Sequence, residues 1–192
     1  YGELRPYFVP YDGGVAFGSF AGLWRSAGTT ESTQLIAPIG PFSWGWLATA
    51  LSSSIAFADY ELHFSDGVPG GNVVDIDLNG LEPSYPSQLT PLGLDRVLFT
   101  AYSPGLGSEL WVSDGTVEGT ELVREIRPGP RSYYEYSRGE LSDAGPEPHM
   151  RGLGSKAVLT ADDGLSGAEL WISDGTFAGT NLLLDIYPGD YP

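Results

Sequence analysis

Side chains that can do acid–base or metal chemistry are scarce in this sequence. There is no cysteine, which excludes disulfides, thiolate metal sites and cysteine nucleophiles. The two histidines are His63 and His149. His63 stands where related segments carry tryptophan, so we expect it to pack in the core, and His149 lies in a proline-rich loop. We therefore predict no catalytic residues and no enzyme; a hydrolase that uses carboxylates at a channel mouth is the enzymatic alternative.

A calcium site is the metal hypothesis that the sequence offers. The segment DIDLNG places Asp75, Asp77 and Asn79 at alternating positions, as in the opening of an EF-hand loop. Proline occupies the position where that loop needs a bidentate glutamate. Aspartates in the Asp-Gly turns are a second alternative for a cation, but an aspartate that begins a turn already binds backbone amides. We predict no cofactor, with Ca²⁺ as the alternative.

The charge balance narrows the class of partner. Nine lysines and arginines face twenty-five aspartates and glutamates, a formal net charge of −16 at pH 7. A field of this sign repels nucleic-acid phosphates and anionic lipid headgroups and attracts cations or basic protein surfaces. No apolar run approaches the roughly 20 residues of a transmembrane helix. We expect no nucleic acid and no membrane span, but a protein partner or larger complex, with a glycan as the alternative.

One segment recurs four times along the chain. Residues 108–129 read SELWVSDGTVEGTELVREIRPG and residues 168–189 read AELWISDGTFAGTNLLLDIYPG, which align without a gap. A third copy begins at Tyr60 and has His63 in place of tryptophan, and a more divergent copy begins at Gly22. Each copy follows a second recurring element, made of a short apolar segment, a turn and an alternating apolar run. Four units in the same order indicate a repeat protein.

The repeat spacing is typical of β-propeller blades. The leucine of the repeated Leu-Trp or Leu-His pair stands at positions 23, 62, 110 and 170, in steps of 39, 48 and 60 residues. The mean step lies near the ~40–50 residues of a four-stranded blade. We predict a single propeller domain over 1–192 with an insertion loop over 130–148. The repeat units cover about 7–40, 44–82, 86–130 and 148–192.

Alternating apolar residues predict β-strands. In the third copy the predicted strands are 89–92, 97–101, 109–113 and 120–126. Alternation places Leu110 and Val112 on one face of the third strand and Trp111 on the other. In a closed propeller ring both faces of a blade are covered by neighbours and no long edge stays exposed. The predicted fold is all-β, a β-propeller of four blades with four antiparallel strands each.

Two recurring positions are interpreted as structural. The repeated aromatic position is expected to pack between blades rather than to bind a ligand. It is held by Trp24, His63, Trp111 and Trp171. In the turn before the fourth strand, aspartate binds backbone amides and glycine supplies a positive φ. These turn residues are Asp66, Asp114, Asp174, Gly115 and Gly175.

The segments ELWVSDGT from Glu109 and ELWISDGT from Glu169 resemble the ELWxxDGT repeat of bacterial exported proteins. Trailing Gly-Thr and Pro-Gly positions extend the match in both copies. The resemblance implies a secreted or surface-exposed propeller-like array, and hence a periplasmic, cell-surface or extracellular location. It supplies no catalytic residues. The chain also begins at Tyr1 rather than methionine, so we expect an upstream segment to have been removed by export processing or by trimming.

Aromatic residues outside the repeat are the predicted partner-binding surface. The candidates, which lie between the first two units and in the insertion, are Trp44, Trp46, Arg131, Tyr133, Tyr134, Tyr136 and Arg138. Tyrosine with arginine in a long loop is typical of a protein or glycan contact, the alternative being a loop that folds onto its own domain. The sequence therefore predicts a non-catalytic interaction or scaffold module that docks another protein or serves as an accessory subunit. A glycan-binding, lectin-like propeller is the alternative function.

Overall fold

The computed structural model of the chain describes residues 8–19, 21–38, 47–80, 82–126 and 150–186. Over these residues the chain forms sixteen β-strands and no helix. The strands assemble into four sheets of four antiparallel strands each. The prediction of an all-β fold with four four-stranded units in a β-propeller-like arrangement is confirmed. No helix capable of crossing a membrane occurs in this described part of the chain.

Each sheet takes four consecutive strands and is called a blade. Blade 1 contains β1 (Phe8–Tyr11), β2 (Gly14–Ser19), β3 (Gly22–Ser26) and β4 (Gln34–Ala37). Blade 2 contains β5 (Leu47–Ala50), β6 (Ile55–Ala58), β7 (Leu62–Ser65) and β8 (Val73–Ile76). Blade 3 contains β9 (Ser87–Leu92), β10 (Arg96–Ser103), β11 (Gly107–Ser113) and β12 (Glu121–Arg124). Blade 4 contains β13 (Met150–Leu153), β14 (Lys156–Asp162), β15 (Ala168–Ser173) and β16 (Asn181–Leu184).

The central hairpin of blade 3 shows how the alternating pattern becomes two apolar faces. β10 and β11 pair antiparallel, with Phe99 opposite Trp111 and Leu98 opposite Val112. Residues that stand opposite each other share a face of the sheet. The pairing of β11 with β12 shifts register between Leu110 and Trp111, and the same shift follows the equivalent leucine in blades 1 and 4. This irregularity recurs in blades 1, 3 and 4, whereas β7 and β8 of blade 2 pair without it.

The turn between the third and fourth strands repeats in its hydrogen bonds. In blade 3 the Ser113 hydroxyl accepts a hydrogen bond from the Gly115 N–H at 3.1 Å and contacts the Thr120 hydroxyl at 2.6 Å. The Asp114 carboxylate accepts from the Thr116 N–H at 2.9 Å. Blade 4 makes the same three bonds. Gly115 has a φ of 90°, a left-handed backbone conformation that glycine adopts without strain.

Neighbouring blades pack face to face. We call the face that meets the preceding blade the front face and the face that meets the following blade the back face. In blade 3 the front face carries Val97, Phe99 and Trp111, which pack with apolar residues of blade 2. The back face carries Leu98 and Val112, which join a buried cluster with residues of blade 4. Blade 3 is thus covered on both sides.

Apolar clusters join blade 1 to blade 2, blade 2 to blade 3, and blade 3 to blade 4. Within the described ranges, no such cluster joins blade 4 to blade 1. The expectation that every sheet is covered on both faces is therefore met by blades 2 and 3 only. Among the described residues, blades 1 and 4 each have a packed neighbour on one side, and exposed apolar side chains lie on the front face of blade 1 and on the back face of blade 4.

Candidate functional site

The contact residues predicted from the sequence fall outside the part of the chain that the structure describes. They are Trp44, Trp46, Arg131, Tyr133, Tyr134, Tyr136 and Arg138, and His149 lies outside it as well. The described residues contain three other kinds of candidate functional site. These are the buried polar groups of the repeat, a cavity between the blades, and the two uncovered faces.

His63 lies in the interior of the fold. It is 7% exposed, and its ring stacks on Phe57 with 5.2 Å between the ring centres. Its Nε2 lies 2.9 Å from the Asp59 carboxylate and its Nδ1 lies 3.4 Å from the Asp75 carboxylate. The imidazole therefore fills an aromatic position of blade 2 and joins two acidic side chains.

Asp59 is the carboxylate most closely coupled to this histidine. Partial burial by itself would raise its pKa, but hydrogen bonds from His63 and from the Glu61 N–H, together with the His63 charge, outweigh burial, so the pKa of Asp59 is lowered. A lowered pKa in the folded state means that the ionised carboxylate stabilises the fold. This contribution is present above the usual value of 3.8 and is lost as pH falls through the lowered value.

Replacing Asp59 by asparagine should therefore reduce the acid sensitivity of the protein. We expect Asp59→Asn to lower the free energy of unfolding near neutral pH and to lose less of it than the wild type on acidification. Urea unfolding at about pH 6 and about pH 3, followed by circular dichroism, measures both losses. Equal losses in the two proteins would show that the Asp59–His63 pair does not contribute in this way.

The residues of the calcium hypothesis bind protein groups. Asp75 lies on β8 beside His63. The Asp77 carboxylate accepts from the Asn79 N–H at 3.0 Å, and the Asn79 side-chain amide donates to the Tyr102 carbonyl oxygen of blade 3 at 2.8 Å. In the described residues, no group of three or more histidine, aspartate or glutamate side chains is placed to hold a metal ion. This loop connects blade 2 to blade 3.

The aspartates of the Asp-Gly turns also bind backbone donors. The Asp66 carboxylate accepts from the Val68 N–H at 3.0 Å and from the Asn72 N–H at 3.1 Å, and these bonds lower its pKa. In blade 4 the Thr176 hydroxyl donates to the Asp174 carboxylate at 2.7 Å and is the main cause of its lowered pKa. The arrangement holds each turn in shape for packing against the preceding blade.

The repeated tryptophans lie on front faces. Trp171 is buried in the cluster between blades 3 and 4, and Trp111 packs partly buried against the cluster of blade 2. The Arg124 guanidinium lies 5.6 Å from the centre of the Trp171 ring and donates to the Thr180 carbonyl oxygen at 2.6 Å. Trp24 holds the same position on blade 1 and is only partly buried.

The repeated glutamate has a structural role that the sequence pattern does not predict. Glu109 is 2% exposed, and its Oε2 accepts from the Ile126 N–H at 2.8 Å. Glu169 makes the equivalent bond, also to an N–H seventeen residues later, at 2.5 Å. Glu61 accepts from the Ser84 N–H at 3.0 Å, and burial raises the pKa of this carboxyl. The sequence feature that could have indicated this role is the recurrence of glutamate directly before the Leu-Trp or Leu-His pair.

The first strand of every blade lines one cavity at the centre of the array. Its volume is about 480 Å³, which falls in the range of small-molecule sites. Phe8, Thr49, Gln88 and Arg151 supply a ring, a hydroxyl, an amide and a guanidinium, one from each blade. Because these groups differ from blade to blade, the cavity does not contain one equivalent pocket per repeat.

The back face of blade 4 is apolar and uncovered. In blade 3 the positions of Val123 and Ile126 are buried, at 3% and 7% exposure. In blade 4 the same positions hold Leu183 and Ile186, which are 49% and 65% exposed. Leu184 on the same strand is 57% exposed. Blade 4 thus carries the residue types of a blade interface on a face that no described blade covers.

The front face of blade 1 is the second uncovered face. Phe8 pairs with Phe17 on this face, as Met150 pairs with Leu159 on the front face of blade 4. Met150 and Leu159 are buried against blade 3 at 5% and 1% exposure, whereas Phe8 is 56% exposed and Phe17 is only partly buried. The two uncovered faces correspond to the two halves of an internal blade interface.

The two uncovered faces and the cavity lined by the first strands are the candidate binding sites among the described residues. Comparison with known proteins does not choose between them. No protein-family model matches the chain, and no curated protein is similar to it at a significant level.

Proposed function

We propose that the chain is a non-catalytic interaction module that docks another protein chain through its uncovered sheet faces. The observation that carries this proposal is the back face of blade 4, where Leu183, Leu184 and Ile186 are exposed. The equivalents of Leu183 and Ile186 in blade 3 are Val123 and Ile126, which are buried in the interface with blade 4. Large apolar side chains that keep interface positions without a neighbour favour the binding of a partner.

The charge of the chain supports a protein partner. A net charge of −16 opposes binding to nucleic acid and to anionic membranes. Burial of apolar side chains in a protein interface does not need charge of the opposite sign, although a basic partner would associate faster. The resemblance to ELWxxDGT repeats adds the proposal that this docking takes place outside the cytoplasm.

The cavity lined by the first strands gives less support to the two alternative functions, a lectin and a carboxylate hydrolase. A lectin with one pocket per blade needs an aromatic ring with polar neighbours in each repeat. The described residues that line the cavity include one aromatic ring, Phe8, and one guanidinium, Arg151. A carboxylate hydrolase needs acidic side chains in the cavity, and none of the described residues that line it is acidic. The exposed apolar sheet faces are therefore the better-supported binding sites.

Site-specific crosslinking tests the proposal. A photoreactive p-benzoyl-phenylalanine in place of Leu183 is expected to crosslink to a defined protein in an extract of the source organism. The protein is identified by mass spectrometry, and excess unlabelled chain is expected to suppress the product by competition. The matched control carries the same group in place of Leu165, which is 84% exposed but lies in the loop between β14 and β15.

The two positions distinguish docking on the face from adhesion to any exposed apolar group. Products at position 183 that are absent at position 165 support the proposal. Identical products at both positions, or none at position 183, would contradict it.

A further inference from the structure

We infer that the docking partner is a second copy of this chain, bound with the front face of its blade 1 on the back face of blade 4. This inference rests on the proposed function and names its partner. Inside one chain, every blade interface is made by the back face of one blade and the front face of the next. The uncovered back and front faces are therefore the two halves of one further interface of the same kind.

The apolar side chains of the two faces match the buried interface between blades 3 and 4. In that interface Val123 and Ile126 of the back face pack in one cluster with Met150 and Leu159 of the front face. A second copy would bring Phe8 and Phe17 to Leu183 and Ile186 in the same arrangement. All four residues of this intermolecular set are large and apolar, as in the internal interface.

In the part of the chain that the structure describes, the glycine in the turn between the third and fourth strands packs against the preceding blade in blades 2, 3 and 4, but not in blade 1. In blades 2, 3 and 4 a Cβ added to the turn glycine would lie 2.4, 3.1 and 2.6 Å from a side chain of the preceding blade. These residues are Gly67, Gly115 and Gly175. Gly28 holds the position in blade 1, and no atom of the described residues lies within 4 Å of its added Cβ. The turn of blade 1 thus occupies the same place in the repeat, but within the described ranges no neighbour packs against it.

Basic side chains on the back faces donate hydrogen bonds to the turns of the following blade. Arg25 of blade 1 donates to the Gly67 carbonyl oxygen of blade 2 at 3.3 Å, and Arg96 of blade 3 donates to the Asp174 carbonyl oxygen of blade 4 at 3.2 Å. Both acceptors belong to turns between third and fourth strands. Lys156 begins β14 as Arg96 begins β10, and it is exposed. Its ammonium is placed to donate to the equivalent turn of blade 1 in a second copy.

The contact is head-to-tail, so each chain has one donor face and one acceptor face. Two chains can use both faces at once and form two equal contacts related by a two-fold axis. Such a pair contains eight blades, and propellers are built from about four to eight blades. A dimer is therefore the expected assembly.

Light scattering coupled to size-exclusion chromatography tests this inference on the purified chain alone. Over a concentration series we expect a molar mass of twice the 20.5 kDa of one chain. Leu183→Asp and Phe8→Asp each place a charge on one face, and each is expected to weaken association by about thirtyfold or more. Both residues are about half exposed, so the substitutions leave the fold of the chain intact, which circular dichroism checks. Leu165→Asp is the control and is expected to remain dimeric.

Mixing the two variants tests the head-to-tail arrangement. The Leu183→Asp chain keeps its front face and the Phe8→Asp chain keeps its back face. Each variant alone is expected to be monomeric, and an equimolar mixture is expected to regain a dimer through one intact contact. A symmetric face-to-face dimer would not be restored in this way, so failure of the mixture to associate overturns the arrangement.

The other outcomes separate this inference from the proposed function. A wild-type chain that is monomeric at every concentration overturns the second-copy inference, as does a dimer that both face variants leave unchanged. If that monomer still crosslinks through position 183 to a different protein, the proposed function stands without the inference. Larger assemblies that the same two substitutions dissolve would support head-to-tail docking of copies.

Discussion

Phe99→Ala is expected to destabilise the fold by about 3–5 kcal/mol, the cost of removing a large aromatic side chain from a packed core. Phe99 is fully buried, at 0% exposure, on the front face of blade 3. It packs in one cluster with Leu62 and Phe64 of blade 2. The lost ring would leave a cavity between two sheets, and neither sheet can close it without disturbing its own strand pairing. Urea unfolding followed by tryptophan fluorescence measures the change.

The matched control for this experiment is Leu94→Ala. Leu94 lies in the turn between β9 and β10 of the same blade and is 73% exposed. Its side chain contributes little buried area, so we expect a change within about 0.5 kcal/mol. A similar small effect of both substitutions would mean that the interface between blades 2 and 3 does not stabilise the fold as described.

Gly175→Ala is expected to cost about 2–5 kcal/mol, the sum of a strained left-handed backbone and a steric overlap with the preceding blade. Gly175 has a φ of 81°, and an added Cβ would lie 2.6 Å from the Leu92 side chain. Leu92 is itself buried at 1% exposure, so it has no free space into which to move. The overlap would separate the turn of blade 4 from the back face of blade 3.

Gly28→Ala provides the comparison, because Gly28 has the same turn position and a φ of 93°, and no described atom lies within 4 Å of its added Cβ. Only the backbone strain remains, and we expect a loss of about 1–2 kcal/mol. Both substitutions are best measured in the Leu183→Asp chain, which is expected to be monomeric, so that a second copy does not cover Gly28. Equal losses of unfolding free energy for the two substitutions would show that the contact between Gly175 and blade 3 does not contribute to stability.

The fold class, the number of repeat units and the placement of the turns could be predicted from the residues alone. Alternation with a period of two is a local property, so Leu110 and Trp111 could be assigned to opposite faces without coordinates. Glycine at a positive φ and aspartate at the start of a turn are local preferences as well, which is why the turn of Asp114 and Gly115 was recognised. The predicted strands of the third copy lie within one or two residues of most of the observed strand ends.

The candidate site could not be predicted in the same way. Composition and spacing predict a contact surface on aromatic residues outside the repeat, whereas the structure also exposes apolar side chains at repeat positions such as Leu183 and Phe8. The burial of Glu109 could not be predicted either. Its partner is the backbone N–H of a residue seventeen positions later, and every residue except proline has such a donor.

The sequence by itself determined that this chain forms four-stranded sheets with two apolar faces, since side-chain alternation and turn chemistry act within a few residues. Only the tertiary structure decided which of those faces has a neighbour. Val123 and Leu183 hold the same position in the repeat, yet one is 3% exposed and the other 49%. The difference arises because burial depends on whether another sheet lies across the face, and no local pattern of residues records the presence of that sheet.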